Sequence, residues 1–157
     1  GPISRNIAAN LADKKNLLVI TNDIFVAAEL CDNPDVKVTV TGGDIIASLG
    51  VMVGPRTLST ISDAYVSKAF IDITAVDLKF GYSMQFYDEV VIIKEIMKMS
   101  REVIALADHL KFDKVSYTKL GDLRLFKKVI SNKEVADAYK KFYYDSNIKF
   151  FTTYDVS

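Results

Sequence analysis

Four polar clusters in this chain each stand at the end of an apolar run: Thr21-Asn22 after LLVI, Thr41-Gly42-Gly43 after VKVTV, Asp72 within KAFIDIT, and Asp108-His109-Leu110-Lys111 after EVIALA. Thr21 and Asn22, directly before Asp23, combine short polar side chains with the backbone amides of a helix start, which suits hydroxyl groups or an anion. Gly42 and Gly43 offer backbone that a ligand can approach closely, because no Cβ stands in the way. Asp72 places a carboxylate near the buried end of an apolar run, where charges are seldom found without a partner. It could accept hydrogen bonds from ligand hydroxyls. Asp108 and Lys111 pair a carboxylate with an ammonium that can reach a phosphate as a point charge. Asp88 and Glu89 open a helix on which Lys94 follows about one and a half turns later.

Each cluster also has a plainer structural role. Thr21-Asn22 before Asp23 could simply cap a helix, and a Gly-Gly pair is commonly a turn. Asp72 could form an ion pair with Lys68 or Lys111, and Asp88 and Glu89 could compensate the helix dipole. His109 is the only histidine and Cys31 the only cysteine, so neither a multi-histidine metal site nor a cysteine zinc cluster is expected. No cofactor is expected either. Cys31, on a helix with Val26, Ala27 and Leu30, reads as a core thiol. The aromatic group FYYDSNIKFF at 142–151 reads as packing rather than as a platform for stacking bases.

In an open α/β sheet, ligands bind in the crevice outside the carboxyl ends of the strands, so the elements between the clusters matter. Ile7, Ala8 and Leu11 at helical spacing predict a helix over 4–15 with Ser4 as its N-cap. LLVIT at 17–21 predicts a buried strand, and DIFVAAELC at 23–31 a helix that stops before Asn33-Pro34. VKVTV at 36–40 predicts a strand, followed by a flexible stretch from Gly42 to Gly54 and a helix from Pro55 to about Ala64. Strands are expected at 67–74, 102–108, 114–120, 127–131 and 148–154, and a loop at 75–85. Helices are expected at 88–100, with Val90, Ile93 and Met97 on one face, and at 132–145, with Val135, Ala138, Tyr139 and Phe142 inward. The alternation implies an α/β domain with a mostly parallel sheet and helices on both faces, a three-layer arrangement.

Half of the 157 residues are hydrophobic and a quarter are charged, the balance of a soluble globular protein. No apolar run approaches the roughly 18 residues of a membrane span, so no membrane partner is expected. A single cysteine and the lack of a secretory leader fit the cytoplasm. Basic and acidic residues each total 20, and the basic doublets Lys14-Lys15, Lys127-Lys128 and Lys140-Lys141 are scattered among acids. A domain that grips nucleic acid usually shows a basic excess or stripe, so this chain is not expected to touch DNA by itself.

The motifs VITN at 19–22, VTGGDI at 40–45, VGP at 53–55, SKAF at 67–70, DEVVIIKEIM at 88–97 and LADHLKF at 106–112, in that order, resemble the C-terminal effector domain of DeoR-family transcriptional regulators. The resemblance covers nearly the whole chain, 1–157, as a single effector-binding domain. It implies a fold similar to ribose-phosphate isomerases and CoA transferases (ISOCOT), and a pocket for a phosphorylated sugar. It places a further phosphate-binding loop at Gly1-Pro2-Ile3-Ser4, which makes Ser4 a candidate. The family's preceding strand and N-terminal helix-turn-helix are not in the chain, so either it is a fragment cut at that loop or Gly1-Pro2 is a cloning scar. Two departures stand out: VISN at 129–132 puts Asn132 where the family carries an acid, and AVDLKFGYSMQFYDE is rich in large residues at the expected pocket mouth.

The resemblance implies a ligand-sensing domain of a repressor of carbohydrate metabolism, not an enzyme. Ser4, Thr21, Asn22, Gly42, Gly43, Asp72, Glu89, Lys94, Asp108 and Lys111 are the candidate ligand-binding residues. DNA would be reached only through a helix-turn-helix outside this chain, and the full-length protein would be a homo-oligomer. The alternatives are a sugar-phosphate isomerase with Glu89 or Asp72 as general base and Lys111 as electrostatic helper, and an oligomerisation module without a ligand.

Overall fold

A computed structural model describes residues 3, 4, 7 and 17–152. Most of the expected helix over 4–15 and the last residues of the expected strand at 148–154 lie outside the described residues. Ile3, Ser4 and Ile7 are helical, so Ser4 sits within a helical turn rather than capping it.

The short apolar runs form parallel strands. β1 (Leu17–Thr21) pairs in register with β2 (Val36–Val40), and α1 (Ile24–Leu30) connects them, packing Val26 and Leu30 against Leu17, Val19, Val36 and Val38. A second sheet holds β5 (Val66–Asp72), β8 (Ser100–Leu106), β10 (Lys128–Ile130) and β11 (Lys149–Phe151) in the order β11-β10-β8-β5, all parallel. Parallel neighbours need long crossovers. Helix α3 (Tyr87–Lys98) lies between β5 and β8, and α4 (Asp137–Asp145) between β10 and β11.

Helices cover both faces of the four-stranded sheet. Ile71, Ala105 and Val129 face a core completed by Val90 and Ile93 of α3 and Tyr139 and Tyr143 of α4. On the opposite face Phe70, Ile104, Leu106 and Ile130 meet Ile3 and Ile7. The i, i+3, i+7 spacing of Val90, Ile93 and Met97 aims them at one core, while Ile92, about 100° round the helix, joins Val53 and Ile61 of a separate cluster against α2 (Pro55–Ser62). The expected mostly parallel, three-layer arrangement holds for these strands.

Antiparallel strands occupy the two stretches expected to be irregular, the second of which pairs with the strand expected at 114–120, which forms only over Thr118–Gly121. β3 (Asp44–Ile46) and β4 (Val51–Val53) form a hairpin within the Gly42–Gly54 stretch, and β6 (Ala75–Asp77), β7 (Gly81–Met84) and β9 (Thr118–Gly121) form a three-stranded sheet. These strands are three or four residues long, too short for alternation to register. Gly81, with φ of +87°, makes the β6–β7 turn possible, and a Cβ there would lie 2.7 Å from the backbone of Asp122.

α4 begins five residues later than expected, at Asp137. That shifts its inward stripe to Tyr139 and Tyr143, with Phe142 partly buried, and leaves Ala138 exposed. The Tyr143 and Tyr82 hydroxyls meet at 2.8 Å inside the core, joining α4 to the small sheet. Burial pushes the Tyr143 hydroxyl up to about 12, so both phenols stay neutral and hydrogen-bonded at ordinary pH. Cys31 is exposed, not a core thiol. It follows the fully buried Leu30 as the C-cap of α1 and is turned about 100° away from it.

Candidate functional site

The parallel strands form two sheets, β1-β2 and β11-β10-β8-β5, and every polar cluster singled out in the sequence except Lys94 and Ser4 lies at the carboxyl end of a strand or opens the next helix. At the end of β1, Thr21 is buried and its hydroxyl accepts from the Asp23 amide at 3.0 Å. Asp23, rather than Thr21 or Asn22, is the N-cap of α1, its Oδ1 accepting from the amides of Phe25 and Val26. Asn22 holds the hairpin: its Nδ2 donates to the Met52 carbonyl at 3.0 Å, and its own carbonyl accepts from the Met52 amide at 2.7 Å.

The two glycines after β2 differ. A Cβ on Gly43 would collide with the Thr57 hydroxyl and lie 2.7 Å from the Val53 carbonyl, whereas one on Gly42 would have nothing within 4 Å. Gly43 therefore admits helix α2, and Gly42 borders open space. The Gly42 carbonyl accepts from the hydroxyls of Thr41 at 3.0 Å and Thr57 at 2.5 Å, and the Thr41 carbonyl accepts from Thr60 at 2.8 Å. Among the described residues nothing accepts a hydrogen bond from the amides of Gly42 or Gly43, and both glycines have positive φ, +75° and +118°. Successive amides held this way form a concavity for an anion. Thr57 and Thr60 were not singled out in the sequence, although their i, i+3 spacing on a helix that opens with Gly54-Pro55 is a legible sign of one shared face.

At the end of β5, Asp72 is half-buried and pairs in register with Leu106. Lys68 stands at the opposite end of the same strand, about 13 Å away along the backbone. Glu89, buried in the first turn of α3, accepts from the Phe86 amide at 3.2 Å and is also hydrogen-bonded by the Gln85 backbone. Burial pushes its carboxyl above the usual range, the two backbone bonds oppose this, and the Asp72 charge adds to it. Gly54, Pro55, Leu58, Asp88, Val91 and Ile92 line a cavity of about 220 Å³ between the starts of α2 and α3. Lys94 is exposed on α3, about 10 Å from the helix start, and the fold does not bring it to these strand ends.

At the end of β8, Asp108 caps the short 3-10 turn His109–Lys111 by accepting from the Leu110 amide at 2.8 Å. Asn132, after β10, clamps that turn: its Nδ2 donates to Asp108 Oδ2 at 3.2 Å, and its Oδ1 accepts from the His109 amide at 2.8 Å. The same Oδ1 lies 2.9 Å from His109 Nδ1. With the amide oriented by Asp108, Nδ1 is the ring nitrogen that carries the proton. An acid at 132 would set a third carboxylate oxygen against Asp108, which explains why an amide serves here. Lys111 is half-buried, and among the described residues its ammonium has no acidic partner. Ser4 stands beside Ile3, which packs on the face of β8 and β10. Among the described residues no group of histidine, cysteine and acidic side chains could hold a metal ion, and no helix is long and apolar enough to cross a membrane.

The profile of the DeoR C terminal sensor domain matches residues 1–133. A putative sgc region transcriptional regulator of Escherichia coli is 31% identical over 156 residues, covering 99% of this chain and 60% of the relative. The glycerol-3-phosphate regulon repressor of Escherichia coli is 28% identical over 126 residues, 80% of this chain and 50% of the relative. The HTH-type transcriptional repressor CsqR of Escherichia coli is 25% identical over 150 residues, 95% of this chain and 57% of the relative. The chain thus spans between half and three fifths of the length of these relatives. The parallel strands with their polar carboxyl ends and the matched profile lead to one conclusion: this chain belongs to the DeoR C-terminal sensor domain family of transcriptional regulators.

Proposed function

We propose that this chain is the ligand-sensing domain of a cytoplasmic repressor of carbohydrate metabolism, and that its effector is a phosphorylated sugar. The observation that carries the reading is the pair of amides at Gly42 and Gly43, held at positive φ and without an acceptor among the described residues, with open space at Gly42. Such amides suit a phosphate or a string of hydroxyls. Lys111 adds a half-buried positive charge at the carboxyl end of β8 in the four-stranded sheet, and Asp72 and Asp108 are acceptors for hydroxyl groups. A relative named for the glycerol-3-phosphate regulon supports a small organic phosphate as the effector class. Ser4 and the Asn22 amide oxygen complete the ligand set.

Binding would act by favouring one arrangement of domains or subunits in a homo-oligomer, and a coupling of about 1–3 kcal/mol is enough for several-fold regulation of DNA affinity. DNA would be read by a helix-turn-helix elsewhere in the full-length protein. An isomerase would need a carboxylate free to take a proton, and Glu89 is instead tied to the amides of Phe86 and Gln85. That argues against Glu89 as the general base of an isomerase and leaves Asp72, half-buried at the end of β5, as the other candidate base.

A thermal-shift screen against phosphorylated sugars and their free counterparts tests the reading. A ligand present at about 100 times its dissociation constant stabilises the fold by about 2.7 kcal/mol. A shift with a phosphosugar and not with its free sugar is expected. Turnover of an aldose phosphate would replace the sensor with an enzyme, and no shift across the panel would sink phosphosugar sensing.

A further inference from the structure

The amino edge of the four-stranded sheet carries a feature that the linear sequence hides. The strands there begin Val66-Ser67-Lys68, Ser100-Arg101-Glu102, Lys127-Lys128 and Lys149. Because they are parallel, these beginnings share one edge. Register pairs Lys68 with Glu102, Ile104 with Lys128, and Lys128 with Lys149. Residues two apart on a strand share a face, so Lys68, Glu102, Lys128 and Lys149 stand on one side of the sheet. Lys68, Arg101, Lys127 and Lys149 are exposed. Lys128 Nζ lies 2.8 Å from Glu102 Oε2. The hydrogen bond from Lys128, with the charges of Lys68 and Arg101, holds the Glu102 carboxyl below the usual range. Ser67, Lys68, Arg101 and Glu102 also line a cavity of about 240 Å³.

These segments carry five cations and one acid in a chain whose basic and acidic residues balance at 20 each. We infer that this amino edge is a docking surface for the phosphate backbone of duplex DNA, on the side of the sheet opposite the effector site. From β5 to β11 the row crosses three strand spacings, about 14 Å. Duplex DNA presents one negative charge per about 1.7 Å of axis, so several phosphates fall within reach of such a row. Contacts of this kind position a protein on DNA without reading sequence. The identity of the polyanion rests on the regulator reading above, since that function brings DNA to the protein.

The test is fluorescence anisotropy of a labelled duplex of arbitrary sequence with this chain, at 50 mM and 200 mM salt. Three neutralised phosphates give a slope near −2.7 in log–log form, so binding should weaken about 40-fold between the two salts. The K68Q/K128Q/K149Q variant should bind at least tenfold more weakly at 50 mM and with a shallower slope. The K79Q/K140Q/K141Q variant, with the same change of charge elsewhere, should bind as the parent does. No binding at 50 mM, or equal loss in both variants, overturns the inference. So does displacement of the duplex by polyglutamate at equal charge concentration, which would make the surface one for an acidic protein. Thermal shifts with phosphosugars report on the effector site alone. A shift without DNA binding ends only this inference, and DNA binding without any shift ends only the phosphosugar reading.

Discussion

The carboxyl ends of the parallel strands, which fall in two sheets, and the amino edge of the four-stranded sheet are built from different chemistry. At the carboxyl ends the polar groups are short and tied down: Thr57 and Thr60 hold the Gly42 loop, Asn132 clamps the Asp108–Lys111 turn, and Glu89 is bound to backbone amides. At the amino edge the polar groups are long lysine and arginine side chains, mostly exposed, with Glu102 the acid among them. A small ligand is recognised by groups fixed to a fraction of an ångström, so local hydrogen bonds are concentrated where it would bind. A polyanion is recognised by charge density, for which flexible ammonium groups suffice.

The largest effect that could break this contrast is expected at the carboxyl ends. Gly43→Ala places a Cβ against Thr57 and the Val53 carbonyl at a φ of +118°, and should lower stability by about 3 kcal/mol in urea unfolding. Gly42→Ala meets no atom within 4 Å and should lose only about 1 kcal/mol, the penalty of a left-handed conformation. It should nevertheless weaken ligand binding, because its methyl group enters the space assigned to the effector. Equal losses of stability at the two positions would contradict the division of roles between them.

A smaller effect separates the two regions. Lys111→Ala should lower phosphosugar affinity by about 10–100-fold in calorimetry, the scale of a charge-assisted hydrogen bond of about 1.5–3 kcal/mol. Affinity for the free sugar should not change. K68Q/K128Q/K149Q should leave phosphosugar affinity as it was, and a loss there as large as that of Lys111→Ala would erase the distinction between the two regions.

The smallest effect is a pH dependence. Burial disfavours the ionised Glu89 in the folded state and raises its folded pKa, so the folded protein holds that proton more tightly than the unfolded chain does. The resulting penalty is absent below the unfolded value, near 4.3, and grows as pH rises through the folded value. The Glu89→Gln variant lacks this titration while keeping an acceptor for the Phe86 amide. Its stability relative to the parent should therefore rise from pH 4 to pH 7 in urea unfolding. Parallel pH profiles for parent and variant would show that Glu89 is not perturbed.

Long, regular patterns were legible without the structure. LLVIT and VKVTV became β1 and β2 at the expected residues, although β1 is not the buried strand its apolar run implied, since Leu18 is 61% exposed and only Thr21 is buried; Val90, Ile93 and Met97 met one core because their helical periodicity reports directly on burial. Of the short antiparallel strands only β9 was expected, within a strand over 114–120; β3, β4, β6 and β7 were not legible. Their residues extend because neighbours in space pair with them: β7 sits between β6 and β9, the latter some 35 residues away. The start of α4 was misplaced because residues 132–136 have helical composition, while Asn132 is held instead by Asp108 and His109. The exposure of Cys31 depends on a single residue step past Leu30.

The sequence by itself determined the α/β class, the alternation of parallel strands and helices, and the placement of polar clusters at strand ends, since all of these follow from local pattern and from the common direction of parallel strands. Tertiary structure alone decided what holds each loop: Asn22 ties the β3–β4 hairpin, Glu89 the start of α3, and the Gly42 carbonyl accepts from Thr41 and Thr57, while a Cβ on Gly42, unlike one on Gly43, would meet open space. It also decided the distribution of charge. Lysines that lie apart along the chain, balanced overall by acids, meet on one edge because the strands that carry them begin side by side.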